Sequence, residues 1–358
     1  MTTLTPDQQL LFDLVSTRSI TGNERTASEC FVSHAQARGF EAAIDEVNNA
    51  IAHRGEVGDG VRTHIVLLGH IDTVPGDIPA RIEKGTLHGR GSVDAKGPLC
   101  AMLCAAERAE LPQGVKVSVI GAVGEESADS PGAHHIRDRL NPDACIIGEP
   151  SGWDGVTIGY KGRLLLTATA TIDCHHSAGP DSSAGDLVIH WWSRVLVKIE
   201  QMNKHREGVF SVIQSTVRSM RSSSDGLVDT ASIEAGFRLP PGIEPEALAN
   251  ELASLANPGI FTFSRAGSED AYKTDRCDPV VRALSAAIRE NGGHPRPKLK
   301  TGTADLNVVG PVWGCPIAAY GPGNSALDHT PHEHIILDEY ECSIKVLTSA
   351  INRLAEEL

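Results

Sequence analysis

No stretch of this 358-residue chain approaches the roughly 18 consecutive apolar residues of a membrane-spanning helix. The N-terminus lacks the basic start and the cleavage site of a secretory signal peptide, so we expect a cytoplasmic protein. None of the eight cysteines forms a CxxC pair, which disfavours structural zinc on cysteine and is typical of reduced thiols. Internal repeats and low-complexity segments are missing as well.

The chain also lacks an excess of basic residues, since its formal net charge is −14 at pH 7. This charge argues against nucleic acid or an anionic membrane surface as the main partner. The glycine-rich stretch GRGSVDAKG does not have the spacing of either common phosphate loop, which disfavours nucleotide binding. The length exceeds that of one ordinary core and predicts two domains.

Residues 1–155 and 271–358 have the pattern of an α/β domain. Short apolar runs such as HIVLLG, VKVSVIGAV and ACIIG are typical of strands that are buried on both faces of a sheet. Helical stretches separate them, and this alternation predicts a mixed, largely parallel sheet flanked by helices. The first helix should have Thr5 as its N-cap, Pro6 at its first position and Gln8 completing a capping box.

Residues 156–270 have a different pattern and predict a smaller domain that is inserted within the first. GRLLLTATATIDC, VFSVIQSTV, ASIEAGFRL and IFTFSRAG are predicted strands, and the polar residues that alternate along them indicate one exposed face. AGDLVIHWWSRVLVKIEQMN and EPEALANELASLA are predicted helices. Together they indicate an α+β domain with one open sheet face.

Polar side chains follow the apolar strands of the larger domain. His70 and Asp72 come after HIVLLG, two residues apart, and therefore lie on the same side of an extended chain. By themselves they fit either a capped strand with one satisfied core histidine, or a metal ligand with the carboxylate that orients it. Comparable positions after strands or in turns hold Asp94, Glu125, Glu126, Glu149 and His329.

The carboxyl ends of the strands form the binding crevice of an α/β sheet, so we expect these side chains to meet there. Two imidazoles and three carboxylates suit two divalent cations of the zinc or cobalt type. Such a site needs one bridging carboxylate and a further base that activates water. The residue set is large enough to supply both.

Five stretches resemble, in order, the motifs of the M20 family of di-zinc aminoacylases and peptidases. They are GHIDTVP, GRGSVDAKG, GEES, GEP and GPGNSALDHTPHEHI. The resemblance covers essentially the whole chain, and it implies that the inserted domain is a lid and dimerisation domain. It also implies that His70, Asp94 and Glu149 bind one zinc or cobalt ion. The second ion would be bound by Asp94, Glu126 and His329, with Asp94 bridging.

The resemblance implies further roles around the two ions. Asp72 would hold His70 through its second ring nitrogen, and Glu125 would be the general base of an amide hydrolysis. The peptide bond between Asp94 and Ala95 would be cis.

Two further histidines are nearby rivals of His329 as a ligand. His332 and His334 lie only a few residues further along the chain. The family pattern places the ligand just before a threonine, which favours His329.

Three residues resemble lid and substrate-binding elements of the family. His176, in HHSAGP, would stabilise the oxyanion, although a surface histidine at a strand end is the alternative. Arg238, in AGFRLPPG, and Thr303, in TGTADLNVV, would bind the substrate carboxylate. The lid asparagine that some relatives offer to the substrate has no obvious match.

The amino-acid sequences of these motifs most resemble those of a subgroup that completes lysine or ornithine biosynthesis. Its members cut lysine or ornithine from the C-terminal glutamyl γ-carboxyl of a small acidic amino-group carrier protein. Residues 190–221 hold six basic against two acidic residues, which is a candidate docking patch for such a carrier or an ordinary solvated face. The basic residues are Arg194, Lys198, Lys204, Arg206, Arg218 and Arg221.

Two alternative functions stay open at this point. One is a deacylase of free N-acetylornithine, N-acetyllysine or succinyl-diaminopimelate. The other, more remote, is a non-catalytic metal-binding scaffold on the same fold. The resemblance also implies a homodimer through the lid, where an exposed strand edge would be the natural surface.

Overall fold

The structure is a computed structural model and describes residues 4–176 and 178–358. The helices are α1 Pro6–Ser16, α2 Arg25–Ala37, α3 Lys96–Arg108, α4 Pro131–Arg137, α5 Ala184–Asn203, α6 Pro245–Ala253, α7 Pro279–Glu290, α8 Asp305–Trp313 and α9 Leu337–Glu357. The strands are β1 Glu41–Ile44, β2 Ala50–Gly55, β3 Thr63–His70, β4 Arg81–Glu83, β5 Thr86–His88, β6 Val115–Ala122, β7 Ala144–Gly148, β8 Gly155–Tyr160, β9 Gly162–Asp173, β10 Gln214–Ser224, β11 Val228–Leu239, β12 Phe261–Glu269, β13 Tyr272–Lys273, β14 Arg296–Lys300, β15 Ile317–Ala319 and β16 His334–Ile336.

Helix α1 begins with the predicted capping box. The backbone N–H of Gln8 donates to the Thr5 hydroxyl, and the Gln8 side-chain oxygen accepts from the backbone N–H of Thr5, both at 3.2 Å. Pro6 occupies the first helical turn, where a missing N–H costs no hydrogen bond. This prediction is confirmed.

The largest sheet has nine strands within the described residues. Its order is β1-β2-β6-β3-β7-β15-β8-β13, and β14 pairs with β8. The four central strands β6, β3, β7 and β15 run parallel to one another, while β1, β2 and β8 join antiparallel. The predicted class, a mixed and largely parallel α/β sheet flanked by helices, is confirmed.

Helix α3 packs closely against the centre of this sheet. Gly121 in β6 and Gly148 in β7 allow the close approach, because an added Cβ would lie 3.0 Å from Leu99 Cδ2 and from Met102 Sδ respectively. Leu99 and Met102 are fully buried in the main core. Since α3 begins at Lys96, its packing fixes the turn just before it, which contains Asp94.

The chain divides into two compact units. The first comprises Met1–Gly159, Lys273–Leu299 and Ala304–Leu358, and the second comprises Tyr160–Tyr272 and Lys300–Thr303. Each unit has its own hydrophobic core. The domain boundaries that we expect from the sequence, 155/156 and 270/271, stay a prediction.

The second unit has a four-stranded antiparallel sheet of order β10-β11-β9-β12. Buried and half-buried residues alternate along β9 and β11, so one face of the sheet belongs to the core and the other is partly open. Helices α5 and α6 pack against the buried face, and Trp191 of α5 is fully enclosed there. Strand β10 is an edge strand with largely exposed side chains.

One predicted strand begins later than expected. Residues 209–213 of VFSVIQSTV lie outside any strand, and β10 begins only at Gln214. Both backbone groups of Ile213 are bonded at 2.8 Å by the side chain of Asn203, at the end of α5. The segment therefore folds against the helix end, and the periodicity of the sequence gives no sign of this contact.

No helix in the described ranges is long and apolar enough to cross a bilayer. The eight cysteines are unpaired thiols. Cys100, Cys104 and Cys145 are buried, whereas Cys277 is exposed.

Candidate metal centre

Three parallel strands of the first unit end at the candidate metal centre. His70 is the last residue of β3, Glu149 directly follows β7, and Glu125 and Glu126 lie in the turn after β6. The parallel register pairs His70 with Ala122 of β6 and Gly69 with Gly148 of β7, which brings these strand ends side by side. The strand ends thus present one imidazole and three carboxylates at the same edge of the sheet.

Asp94 lies between two histidines. Its Oδ1 is 3.0 Å from Nε2 of His70, and its Oδ2 is 3.0 Å from Nε2 of His329. The peptide bond between Asp94 and Ala95 is cis, as the sequence resemblance implies. One carboxylate that faces two imidazoles with its two oxygens has the arrangement expected of a bridging ligand.

A carboxylate completes the group around each histidine. Oε1 of Glu126 is 3.0 Å from Nε2 of His329, and Oε1 of Glu149 is 4.0 Å from Nε2 of His70. The candidate ligand atoms of Asp94, Glu126 and His329 all lie within 4.8 Å of one another. The structure therefore brings together the five residues that the motifs indicate, in two groups that share Asp94.

Asp72 is fully buried behind His70 and Glu125. Its carboxylate accepts hydrogen bonds from the backbone N–H groups of Glu125 and Glu126, both at 3.1 Å, and from the Thr21 hydroxyl at 2.8 Å. Nδ1 of His70 lies 3.5 Å from Asp72 Oδ1 and donates to the Asp72 backbone carbonyl at 3.1 Å. Because a carbonyl only accepts, Nδ1 carries the proton and Nε2 is left to ligate.

The pKa values in the cluster are strongly shifted. Hydrogen bonds to Asp94 and Glu126 raise the pKa of His329 to about 10. Burial opposes protonation of His70, but the carboxylates of Asp72 and Asp94 still hold its pKa well above the ordinary range. Burial raises the pKa of Glu125 and, more weakly, of Glu126. Such a concentration of mutually perturbed groups at strand ends is typical of a functional site.

The donor set fits two divalent cations. Imidazole and carboxylate are the ligands that zinc and related ions take in hydrolytic sites. The ring nitrogens of His70 and His329 face the carboxylates of Asp94 and Glu126, so a bound cation would take the place of protons at these nitrogen atoms.

The rival histidines lie elsewhere. His334 donates from Nδ1 to the His332 carbonyl at 2.7 Å, and within the described residues neither ring contacts the carboxylates of the cluster. His135 pairs with Asp45 and Glu46. These positions support His329 as the ligand candidate.

Two of the predicted substrate-binding residues are in contact within the second unit. Nη1 of Arg238 donates to the Thr303 hydroxyl at 2.9 Å, and that hydroxyl donates to the Lys161 carbonyl at 3.0 Å. His176 is exposed after β9, and its Nδ1 accepts from the backbone N–H of Ala178 at 3.1 Å. Ser177, the next residue of the HSAGP motif, lies outside the described residues.

Glu333 is a residue whose position the sequence analysis did not predict. It is buried, and its Oε1 accepts from the backbone N–H groups of Val93 and Asp94 at 2.9 and 3.1 Å. Its Oε2 accepts from Arg90 at 2.7 Å. Glu333 thus links the turn that carries Asp94 to the segment that carries His329. Its place inside GPGNSALDHTPHEHI was the available signal.

Comparison with known proteins identifies one family. The model of peptidase family M20/M25/M40 matches residues 66–353. A relative from Deinococcus radiodurans, named LysW-lysine hydrolase, is 43% identical over 366 residues, covering 98% of this chain and 99% of its own. A Thermococcus kodakarensis relative, named putative LysW-lysine/LysW-ornithine hydrolase, is 41% identical and covers 97% of this chain and 91% of its own.

Solved structures share the fold over the whole chain. The M20 family metallo-carboxypeptidase Sso-CP2 from Sulfolobus solfataricus has a TM-score of 0.79 at 18% identity, covering 99% of this chain and 100% of its own. The Bacillus subtilis YXEP protein, described as a dinuclear metal binding peptidase from the M20 family, has a TM-score of 0.70 at 14% identity and covers 99% of both chains.

We predict that replacing Glu333 weakens cation binding at the cluster. Glu333→Ala removes the acceptor that fixes the backbone of Asp94, so the affinity for divalent cations should fall by about 10- to 100-fold. Glu333→Gln keeps an oxygen that can accept from the two N–H groups. Its affinity for divalent cations should therefore lie between those of wild type and Glu333→Ala. Competition with a chelating dye measures the affinities. Glu110→Gln, at an exposed residue of the first unit, is the matched control, and equal affinities in all four proteins would contradict the prediction.

Proposed function

The chain belongs to peptidase family M20/M25/M40, and from this we propose that it releases lysine, ornithine or both from an acidic amino-group carrier protein. The bond cut would be the amide between the carrier's C-terminal glutamyl γ-carboxyl and the α-amine of the amino acid. The chain is a metal-dependent hydrolase of amide bonds, since it belongs to this family and its relatives are named hydrolases. The observation that carries the proposal is Asp94 held between two imidazoles at the strand ends.

Two divalent cations are the proposed cofactors, with zinc as the first choice and cobalt as the alternative. His70, Asp94 and Glu149 would hold one, and Asp94, Glu126 and His329 the other. When bound, the cations supply Lewis acidity toward an attacking water and toward the amide carbonyl. The donor types and the short distances around Asp94 support this assignment.

Glu125 is the proposed general base. Its carboxylate would take the proton of the attacking water and return it to the leaving amine. Burial and the neighbouring carboxylates of Glu149 and Asp305 raise the pKa of Glu125. The Asp72 carboxylate fixes the backbone of Glu125 and so orients the base.

Three further residues are the proposed substrate contacts. His176 would donate to the oxyanion, and Arg238 with Thr303 would bind the carboxylate of the released amino acid. The contact between Arg238 and Thr303 supports a shared role, since a hydroxyl that accepts from the guanidinium fixes its plane. A fixed planar guanidinium suits a carboxylate better than a mobile one does.

We also propose that residues 156–270 act as a lid and form a homodimer. The exposed apolar side chains support this, because several lie on α5 and on the edge strand β10. They are Ile189, Leu196, Val197, Val217 and Met220. The eight unpaired cysteines support a reducing compartment, the cytoplasm, as the location.

The basic residues of the second unit are proposed to meet the acidic carrier. Lys198 pairs with Glu251 and Arg218 with Glu234, which leaves these two cations partly neutralised. Lys204 has no acidic partner within the described residues, and neither has Arg221. Positive groups without local partners support a docking role, because their charge stays available to a negative surface.

We predict that Glu125→Gln loses amide hydrolysis but keeps its cations. Removing a general base should lower kcat by about 10²- to 10⁴-fold, while Glu125 is not among the proposed ligands. Lysine or ornithine release from the carrier substrate and metal content per chain are the two measurements. Glu356→Gln, at an exposed position, is the matched control. A Glu125→Gln variant with full activity would rule out the assigned base.

We predict that reversing Lys204 and Arg221 together weakens recognition of the carrier. The K204E/R221E variant should raise KM for the carrier substrate roughly tenfold at low salt, with kcat unchanged, and the difference should shrink in high salt. Arg276→Glu, at an exposed residue of the first unit, is the control. An unchanged KM for the double variant would mean that these cations are only a solvated face.

A further inference from the structure

A small sheet of the first unit places two histidines opposite each other. Strand β5 is the central strand of a three-stranded sheet of order β16-β5-β4, and its antiparallel register pairs His88 with His334. The two ring centroids are 5.3 Å apart, and the ring planes are tilted by 36°. Their sequence neighbours Leu87 and Ile335, which pair with each other in the register, are buried, so the histidines lie on the outward face.

The ring nitrogens of this pair are available to a ligand. Because Nδ1 of His334 donates to the His332 carbonyl, its Nε2 is left as an unprotonated lone-pair donor in the neutral ring. The His88 ring has no hydrogen-bond partner within the described residues. Burial, together with the neighbouring Arg81, lowers the pKa of His88, which favours the neutral ring. Neutral imidazole is the form that binds metal.

We propose that His88 and His334 form a binding site for a transition-metal cation, separate from the catalytic cluster. Two imidazoles on one such ion have ligand nitrogens roughly 3.3 Å apart, as bonds of about 2.0–2.1 Å and tetrahedral angles require. Side-chain rotation of two rings with centroids 5.3 Å apart can provide this spacing. Water molecules would occupy the remaining coordination positions of this ion. Imidazole selects Zn²⁺, Cu²⁺ or Ni²⁺ over Mg²⁺ or Ca²⁺.

One positively charged side chain, that of Arg81, lies next to this site. Arg81 is the partner of His88 on β4, on the side away from His334. It forms a salt bridge of 3.0 Å with Glu83, which offsets its charge toward an incoming ion. A bound ion would cross-link β5 to β16 directly after Glu333, the residue that holds the Asp94 turn. Binding should therefore stabilise the folded protein.

The test uses the full chain with its catalytic cations in place and Ni²⁺ as the probe. Equilibrium dialysis counts nickel per chain, and thermal unfolding with and without added Ni²⁺ measures stabilisation. Wild type should bind one ion more than His88→Asn or His334→Asn. Each substitution should lower the affinity of this site at least about tenfold and abolish the Ni²⁺-dependent rise in Tm. Mg²⁺ should produce no rise.

His205→Asn, at an exposed residue of the second unit, is the matched control and should bind as wild type does. The folded state and the hydrolytic activity of both test variants should match wild type, because His88 and His334 lie outside the proposed catalytic machinery. The proposal is overturned if His88→Asn and His334→Asn bind as much nickel as wild type, or if the His205 variant loses the same ion.

Discussion

The rest of the centre depends on the hydrogen bonds that the Asp72 carboxylate accepts. This carboxylate is fully buried, so its charge is stable only with donors on all sides. Thr21 and the backbone of the Glu125–Glu126 turn provide them, and the ring of His70 lies 3.5 Å from the same carboxylate. One side chain thereby sets the orientation of a histidine at the end of β3 and of two carboxylates after β6. These contacts hold the pKa of Asp72 below its usual range even though burial opposes this.

A second buried carboxylate, that of Glu333, fixes the turn that carries Asp94. Glu333 bonds the backbone of Asp94 from a position close to His329 in sequence, and Arg90 compensates its charge. The proposed bridging residue therefore depends on α3 packing on one side and on Glu333 on the other. Asp72 and Glu333 together explain how side chains from distant parts of the chain come within 3.0 Å of Asp94.

Much of this arrangement could be predicted from the sequence. The apolar runs indicated the central strands, and motifs after them named His70, Asp94, Glu126, Glu149 and His329, which the structure brings together. Glu333 could not be assigned, because a carboxylate that bonds backbone N–H groups leaves no periodic pattern. The contact between Arg238 and Thr303 joins positions 65 residues apart, and sequence spacing does not predict such a distance. The late start of β10 has the same cause, since a side chain of α5 bonds Ile213.

The most direct test of the account is the release of amino acid by zinc- or cobalt-loaded protein from a panel of substrates. The panel contains carrier-linked lysine, carrier-linked ornithine, N-acetylornithine, N-acetyllysine and succinyl-diaminopimelate, each with and without a chelator. The account predicts chelator-sensitive release from the carrier-linked substrates, with far slower release from the free ones. Faster release from a free acylated amino acid would contradict the carrier assignment, and release that a chelator leaves unchanged would contradict the metal centre itself.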